Sequence, residues 1–383
     1  MRMTTCHWSA RRWETALVPA AAWRAPRRRV TLGLITFTGV VLVAAHMSAS
    51  SGLLPHAGET AGPTSTADRQ VHVLVWTQQR SGSTLTSGLL CASPRTFCSM
   101  EPLRHREREG SGLLGDIFRC RFSQRPVYFR DWMHGPQIND LRVRELCQKP
   151  LHIMCETPDV VEAVCRAATA NIIKVVSVNL SVGAPLLQEL RLTTRVIHLV
   201  RDPRALLASR LLVEEGHFLL MLNGTFFSRE AKDARLVCER YRQDLHAARR
   251  LLRLYPERYT LVRYEDIARQ PHRETRRLYS FMGLEYTPLV ASVVSKQTLG
   301  FYHTEGKDHP FATSKNSSSI VFAWRSRLSY SEVERVQQEC GDVLRAYGYR
   351  HFTRRQYEKE VASPLLPLPA GWANPIPANR KDT

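Results

Sequence analysis

Residues 77–84 read Thr77-Gln78-Gln79-Arg80-Ser81-Gly82-Ser83-Thr84, a run whose chemistry suits an anion. If it joins a strand to a helix, the turn aims unpaired backbone N–H groups at one point, where the helix dipole adds about half a positive charge. Gly82 lets the backbone approach a ligand closely, Arg80 supplies a guanidinium, and Ser81, Ser83 and Thr84 supply donors. A second grouping, Arg201-Asp202-Pro203-Arg204 followed by Ser209, offers an arginine able to grip a phosphate through two parallel N–H donors. The serine hydroxyl lies about two helical turns later. Two such grips suit a nucleotide phosphorylated at both ends. The loop lacks GxxxxGK[ST], and no acidic strand end offers a magnesium ligand, which disfavours a nucleotide kinase. Alone, each motif has a plainer reading: a polar strand-to-helix turn for the first, an Arg201–Asp202 structural ion pair for the second.

These groups need elements to hold them. The β-branched run VHVLVW from Val71 precedes the loop, and residues 84–90 after it are apolar, so strand, turn and helix follow in order. Further strands are predicted at 171–178 and 195–200, each followed by a helical segment, with Pro203 suited to a first helical turn. Residues 234–254 show apolar spacing of helical period among many arginines, and 259–263 form a strand ending at Tyr264-Glu265-Asp266. Helices are predicted at 271–281 and 331–347. The alternation predicts an α/β domain with a central parallel sheet and helices on both faces, whose ligands bind at the strands' C-terminal ends. Each polar motif falls at such an end.

The chain has 383 residues and a formal charge of +19, enough length for one large domain with appendages. Residues 1–29 hold seven arginines against Glu14 alone, and residues 30–47 (VTLGLITFTGVVLVAAHM) carry no charge. As a helix that run spans about 27 Å, enough for a thin bilayer. It is predicted to be a signal-anchor transmembrane helix, with 1–29 cytosolic and the rest lumenal by the positive-inside rule. Residues 48–70 form a Ser/Thr/Gly/Pro-rich stem, 71–352 the lumenal domain, and 353–383 an irregular tail. Cys6 falls on the cytosolic side, leaving eight lumenal cysteines, an even number that suits an oxidising compartment but fixes no pairing. Nothing in their spacing predicts a metal site. Asn223 and Asn316 begin glycosylation sequons.

The segment Arg80-Ser-Gly-Ser-Thr84 resembles the 5′-phosphosulfate loop of Golgi carbohydrate sulfotransferases, and Val200-Arg-Asp-Pro-Arg204 through Ser209 resembles their 3′-phosphate motif. The nearest resemblance is to the enzymes that sulfate the 6-hydroxyl of galactose, N-acetylglucosamine or N-acetylgalactosamine. Glu101-Pro-Leu-Arg-His105, Ile117-Phe-Arg-Cys120, Arg263-Tyr-Glu-Asp266 and Asn316-Ser-Ser through Trp324-Arg325 extend the match over about residues 71–349. Where the family often has aromatic residues, this chain has Gln79, Leu85 and Arg104, departures that bear on acceptor identity rather than on the nucleotide site.

The resemblance implies a P-loop-like three-layer fold and transfer of a sulfuryl group from 3′-phosphoadenosine-5′-phosphosulfate (PAPS), released as 3′,5′-ADP, without a metal. Residues 77–84 would cradle the phosphosulfate, Arg201 through Arg204 and Ser209 the 3′-phosphate, and Ser317 would donate from a loop closing over the nucleotide. Arg80 would stabilise charge in transfer. Glu101 is the first candidate for accepting the sugar proton and His105 the second. The implied partners are a glycan on a glycoprotein or proteoglycan, such as keratan or chondroitin sulfate, and the Golgi membrane, with no nucleic acid. Homodimerisation through stem or anchor stays open. The rival readings are a lumenal glycan kinase and a catalytically silent glycan-binding membrane protein.

Overall fold

The computed structural model describes residues 70–134, 143, 157–176, 178–189, 192–220, 229–299, 316–359 and 362–372. Five parallel strands, β1 (Val71–Thr77), β2 (Thr96–Met100), β3 (Ala170–Val176), β4 (Thr193–Val200) and β5 (Tyr259–Arg263), lie in the order β2-β3-β1-β4-β5. The helices that frame them are α1 (Ser83–Leu90), α2 (Gly110–Phe118), α3 (Pro126–His134), α4 (Pro158–Arg166), α5 (Ala184–Gln188), α6 (Pro203–Leu220) and α7 (Ala234–Leu254). Beyond β5 come α8 (Tyr264–Arg269), α9 (Pro271–Met282), α10 (Pro288–Thr298), α11 (Tyr330–Ala346) and α12 (Arg354–Glu358).

The strands read as continuous apolar runs because both faces are covered. Leu74 and Trp76 of β1 point into a core shared with α2, α5, α7 and α11, while Val73 and Val75 point into a second core shared with α1, α9 and α10. Three layers result. Helix α7 starts where the Asp233 carboxylate accepts from the Leu236 amide, and α11 starts at a capping box between Ser329 and Glu332.

Among the described residues three disulfides, Cys91–Cys98, Cys120–Cys165 and Cys238–Cys340, tie elements together across Cα separations of 6.4, 5.8 and 5.2 Å. Strand β2 was not anticipated: it is short and includes Cys98 and Ser99, so its hydrophobic pattern is weak. The segment after 352 also differs from the irregular tail expected of it. Helix α12 forms there, the Arg350 and Leu366 amides bond across to the Pro364 and Gly348 carbonyls, and Leu365, Leu368 and Trp372 pack against the larger core. Prolines keep this segment out of long elements, but its apolar side chains still bury. Among the described residues no helix is long and apolar enough to cross a membrane; residues 30–47 lie outside them.

Candidate active site

The parallel register brings the motifs to one edge. Thr77 ends β1 beside Leu199 of β4 and Val176 of β3, so residues 78–82 and the turn after Val200 leave neighbouring strand ends together. The Thr77 hydroxyl donates to the Leu199 carbonyl at 2.7 Å. Past it the loop is held from three sides. Gln78 Nε2 donates to Asp244 of α7 at 2.7 Å, Arg210 of α6 donates to the Gln79 carbonyl at 3.0 Å, and Arg201 donates to the Arg80 carbonyl at 2.8 Å. The last contact fastens one anticipated phosphate grip directly to the other. Arg80 Nε in turn donates to Ser209 Oγ at 3.2 Å.

Two residues of the loop adopt the left-handed region, Gly82 at φ 82° and Arg80 at φ 73°. A Cβ on Gly82 would meet the Tyr264 ring at 2.1 Å, so this glycine answers both a conformational need and a close approach. The same ring lies under Arg201, whose guanidinium carbon sits 4.7 Å from its centroid.

The electrostatics of this cluster are those of an anion site. Burial, and after it the nearby Arg201, push the Arg80 guanidinium down to about 10. Burial likewise pushes Arg210 down to about 10, with Arg240 and Arg80 adding to the effect. Arg201 Nε is buried and finds no hydrogen-bond acceptor among the described residues. Guanidinium groups crowded this way, one with an orphaned donor, fit a ligand carrying negative charge at two points. Arg210 was missed in the sequence; its only signal was its place directly after Ser209 on a helix leaving the second motif.

Glu101 leaves the same edge from β2, two strands and so about 10 Å from the loop. Its amide donates to the Lys174 carbonyl at 2.8 Å, and its carboxylate pairs with Lys174 Nζ at 3.0 Å. Lys174 is buried on β3, level with Met100 and Val75. Its buried pairing with Glu101 ties the end of β3 to the turn after β2. The turn after β2 is strained: Glu101 sits at φ 54° and His105 at φ 61°. All three anticipated catalytic residues, Arg80, Glu101 and His105, thus hold left-handed backbone, a feature found where function over-determines geometry. His105 is exposed.

Other anticipated residues are placed differently. Arg204 is 0 % exposed and donates to both Asp202 carboxylate oxygens, to Gln337 Oε1 and to the Arg350 carbonyl, between the rings of Trp324 and Phe352. Asp202 and Arg204 therefore form a buried structural pair rather than a phosphate contact, and Pro203 opens α6. Glu265 backs this turn: its carboxylate accepts from the Asp202 amide and the Tyr349 hydroxyl, each at 2.9 Å. Burial, then the Asp202 charge, push it up to about 7. Ser317 is buried with its hydroxyl donated to the Ala268 carbonyl at 2.9 Å, so it is no nucleotide donor in this arrangement. Ser81 and Ser83 lie buried along the loop and Thr84 is exposed.

The sequence from 70 to 348 matches the family described as "Sulfotransferase domain". The chain belongs to the sulfotransferase family. Among its relatives are carbohydrate sulfotransferase 5 of Mus musculus, 31% identical over 79% of this chain and 86% of that one, and carbohydrate sulfotransferase 6 of Homo sapiens, 31% identical over 81% and 89%. Among solved structures, the sulfotransferase domain from the curacin biosynthetic pathway aligns with a TM-score of 0.43 at 16% identity, covering 71% of this chain and 98% of that one. Family membership removes the kinase alternative. The sulfotransferase domain spans the loop, the Glu101 turn and the Arg201–Ser209 segment together.

Proposed function

We propose that this protein is a PAPS-dependent carbohydrate sulfotransferase acting on a sugar hydroxyl, the 6-hydroxyl of N-acetylglucosamine, galactose or N-acetylgalactosamine. The observation that carries this is the joining of Arg80, Arg201 and Ser209 in one cluster, where two anionic ends of one molecule can be held. The relatives named carbohydrate sulfotransferases support the acceptor class. The arginine-rich start and uncharged run at 30–47 support a type II Golgi membrane protein with a lumenal domain.

PAPS supplies an activated sulfuryl group, and transfer forms a sugar oxygen–sulfur bond as the sulfur–oxygen bond to phosphate breaks. The loop amides, Arg80 and the Ser81, Ser83 and Thr84 hydroxyls hold the phosphosulfate end and stabilise charge on the leaving oxygen, where positioning and electrostatics dominate. Arg201 and Ser209 hold the 3′-phosphate. Glu101, aimed by Lys174, takes the proton from the attacking hydroxyl. The test is labelled PAPS offered to the folded protein with galactose-, N-acetylglucosamine- and N-acetylgalactosamine-terminated acceptors. Transfer to at least one is expected; transfer to none overturns the proposal.

A further inference from the structure

Away from the strand edge that carries Arg80 and Glu101, the last turns of α7 and α11 and the segment around Trp372 border an open cleft of about 560 Å³ lined by Arg249, Arg253, Arg345 and Trp372. All three arginines are exposed. Among the described lining residues the one acid, Asp342, is committed elsewhere: Arg242 donates to its two carboxylate oxygens at 2.8 and 3.2 Å, and this hydrogen bonding holds its carboxyl below the usual range. The cleft therefore keeps a net positive lining. Its walls are fixed. Cys238–Cys340 clamps α7 to α11, Trp372 Nε1 donates to the Ala346 carbonyl at 2.7 Å, and the Trp372 ring stacks on Tyr347 with centroids 5.7 Å apart.

We propose that this cleft is an accessory binding site for an anionic, sulfate-bearing oligosaccharide, the already modified part of the acceptor chain. Guanidinium forks match sulfate oxygens in charge and geometry. A rigid aromatic wall offers the apolar surface that a sugar ring covers, in the pattern of a concave site with a few fixed polar groups. Helix α7 links the cleft to the chemistry: Tyr241 and Asp244 touch the Arg201 turn and Gln78, while Arg249 and Arg253 lie five and nine residues beyond Asp244, about 7 and 13 Å along the axis.

The proposal rests on the carbohydrate acceptor assigned above, and its test separates the two. Full-length protein is titrated with a sulfated N-acetyllactosamine hexasaccharide and with its unsulfated parent, comparing wild type, Arg249→Ala/Arg253→Ala/Arg345→Ala and the single Arg253→Glu, with melting temperatures confirming folding. Wild type should prefer the sulfated probe, and both variants should bind it about tenfold or more weakly. The KM for the sulfated hexasaccharide should rise with that loss while the KM for a monosaccharide acceptor stays unchanged. Equal binding of both probes by wild type, or unchanged binding by the triple variant, overturns the accessory site and leaves the catalytic assignment standing. A loss confined to anionic phospholipid vesicles also overturns it, in favour of a membrane contact. If no acceptor is turned over, the catalytic assignment fails and the hexasaccharide titration still decides the cleft.

Discussion

Arg80 and Arg201 meet at one strand edge, the second donating to the backbone carbonyl of the first, so two guanidinium groups share one small region. Removing either guanidinium should weaken 3′,5′-ADP binding by roughly 1.5–3 kcal/mol, the worth of a charged hydrogen bond; calorimetric titration of Arg80→Ala and Arg201→Ala checks this, and unchanged affinity removes that residue from the site. Glu101 separates from them in its expected signature. Glu101→Gln keeps the shape of the turn but cannot accept a proton, so kcat should fall by about 10²–10⁴-fold while nucleotide affinity holds. Lys174→Met should lower kcat less than Glu101→Gln, because it loosens the carboxylate's aim without removing it. If His105→Ala were the more damaging variant, the roles of Glu101 and His105 would exchange.

At the scale of elements, the loop between β1 and α1 is set by Gly82 and by the helix beneath it. Alanine at 82 would hold φ 82° and drive its Cβ into Tyr264, the first residue of α8. Left-handed strain of about 1–2 kcal/mol and overpacking of about 1–3 kcal/mol should add, lowering the melting temperature and abolishing its rise on adding 3′,5′-ADP. A Gly82→Ala protein stabilised by the nucleotide as wild type would show that the loop tolerates displacement. This loop was legible in the sequence because a glycine among hydroxyls after a β-branched run has few alternatives, and α7 was legible over its full length from its apolar period. What was not legible depended on partners distant in sequence. Arg204 looks like a ligand residue beside Arg201, yet Gln337 and the Arg350 carbonyl, far along the chain, bury it. Lys174 gains its meaning only when the β2–β3 register sets it level with Met100, and Ser317 loses its expected role because α8 offers it a carbonyl. The disulfides were undetermined for the same reason: Cys238 and Cys340 meet only once α7 packs on α11.

Across the whole molecule, the Arg80 loop and the Arg201 turn are each backed by a buried carboxyl from behind the sheet edge. Asp244 accepts from Gln78 and from the Leu180 amide, and Glu265 accepts from the Asp202 amide. Neither carboxyl has a salt-bridge partner within 4 Å among the described residues, so burial pushes Asp244 up to about 6 and, with Asp202, Glu265 up to about 7. Both folded values lie above those of the unfolded chain, where the ordinary carboxyls titrate near 3.8 and 4.5. Between the unfolded and folded values the folded protein therefore binds more protons, and its stability falls as pH rises through that window. Below it both states are protonated and above it both are ionised, so the slope is confined to about pH 4–7. Glu265→Gln should flatten the upper part of the slope and Asp244→Asn the lower part, each keeping a side-chain carbonyl for the backbone amide it serves. Urea midpoints measured from pH 4 to 8 for wild type and both variants read this directly. Parallel curves for all three would mean that these carboxyls ionise at ordinary values, and that the two grips are held by geometry without any cost in charge.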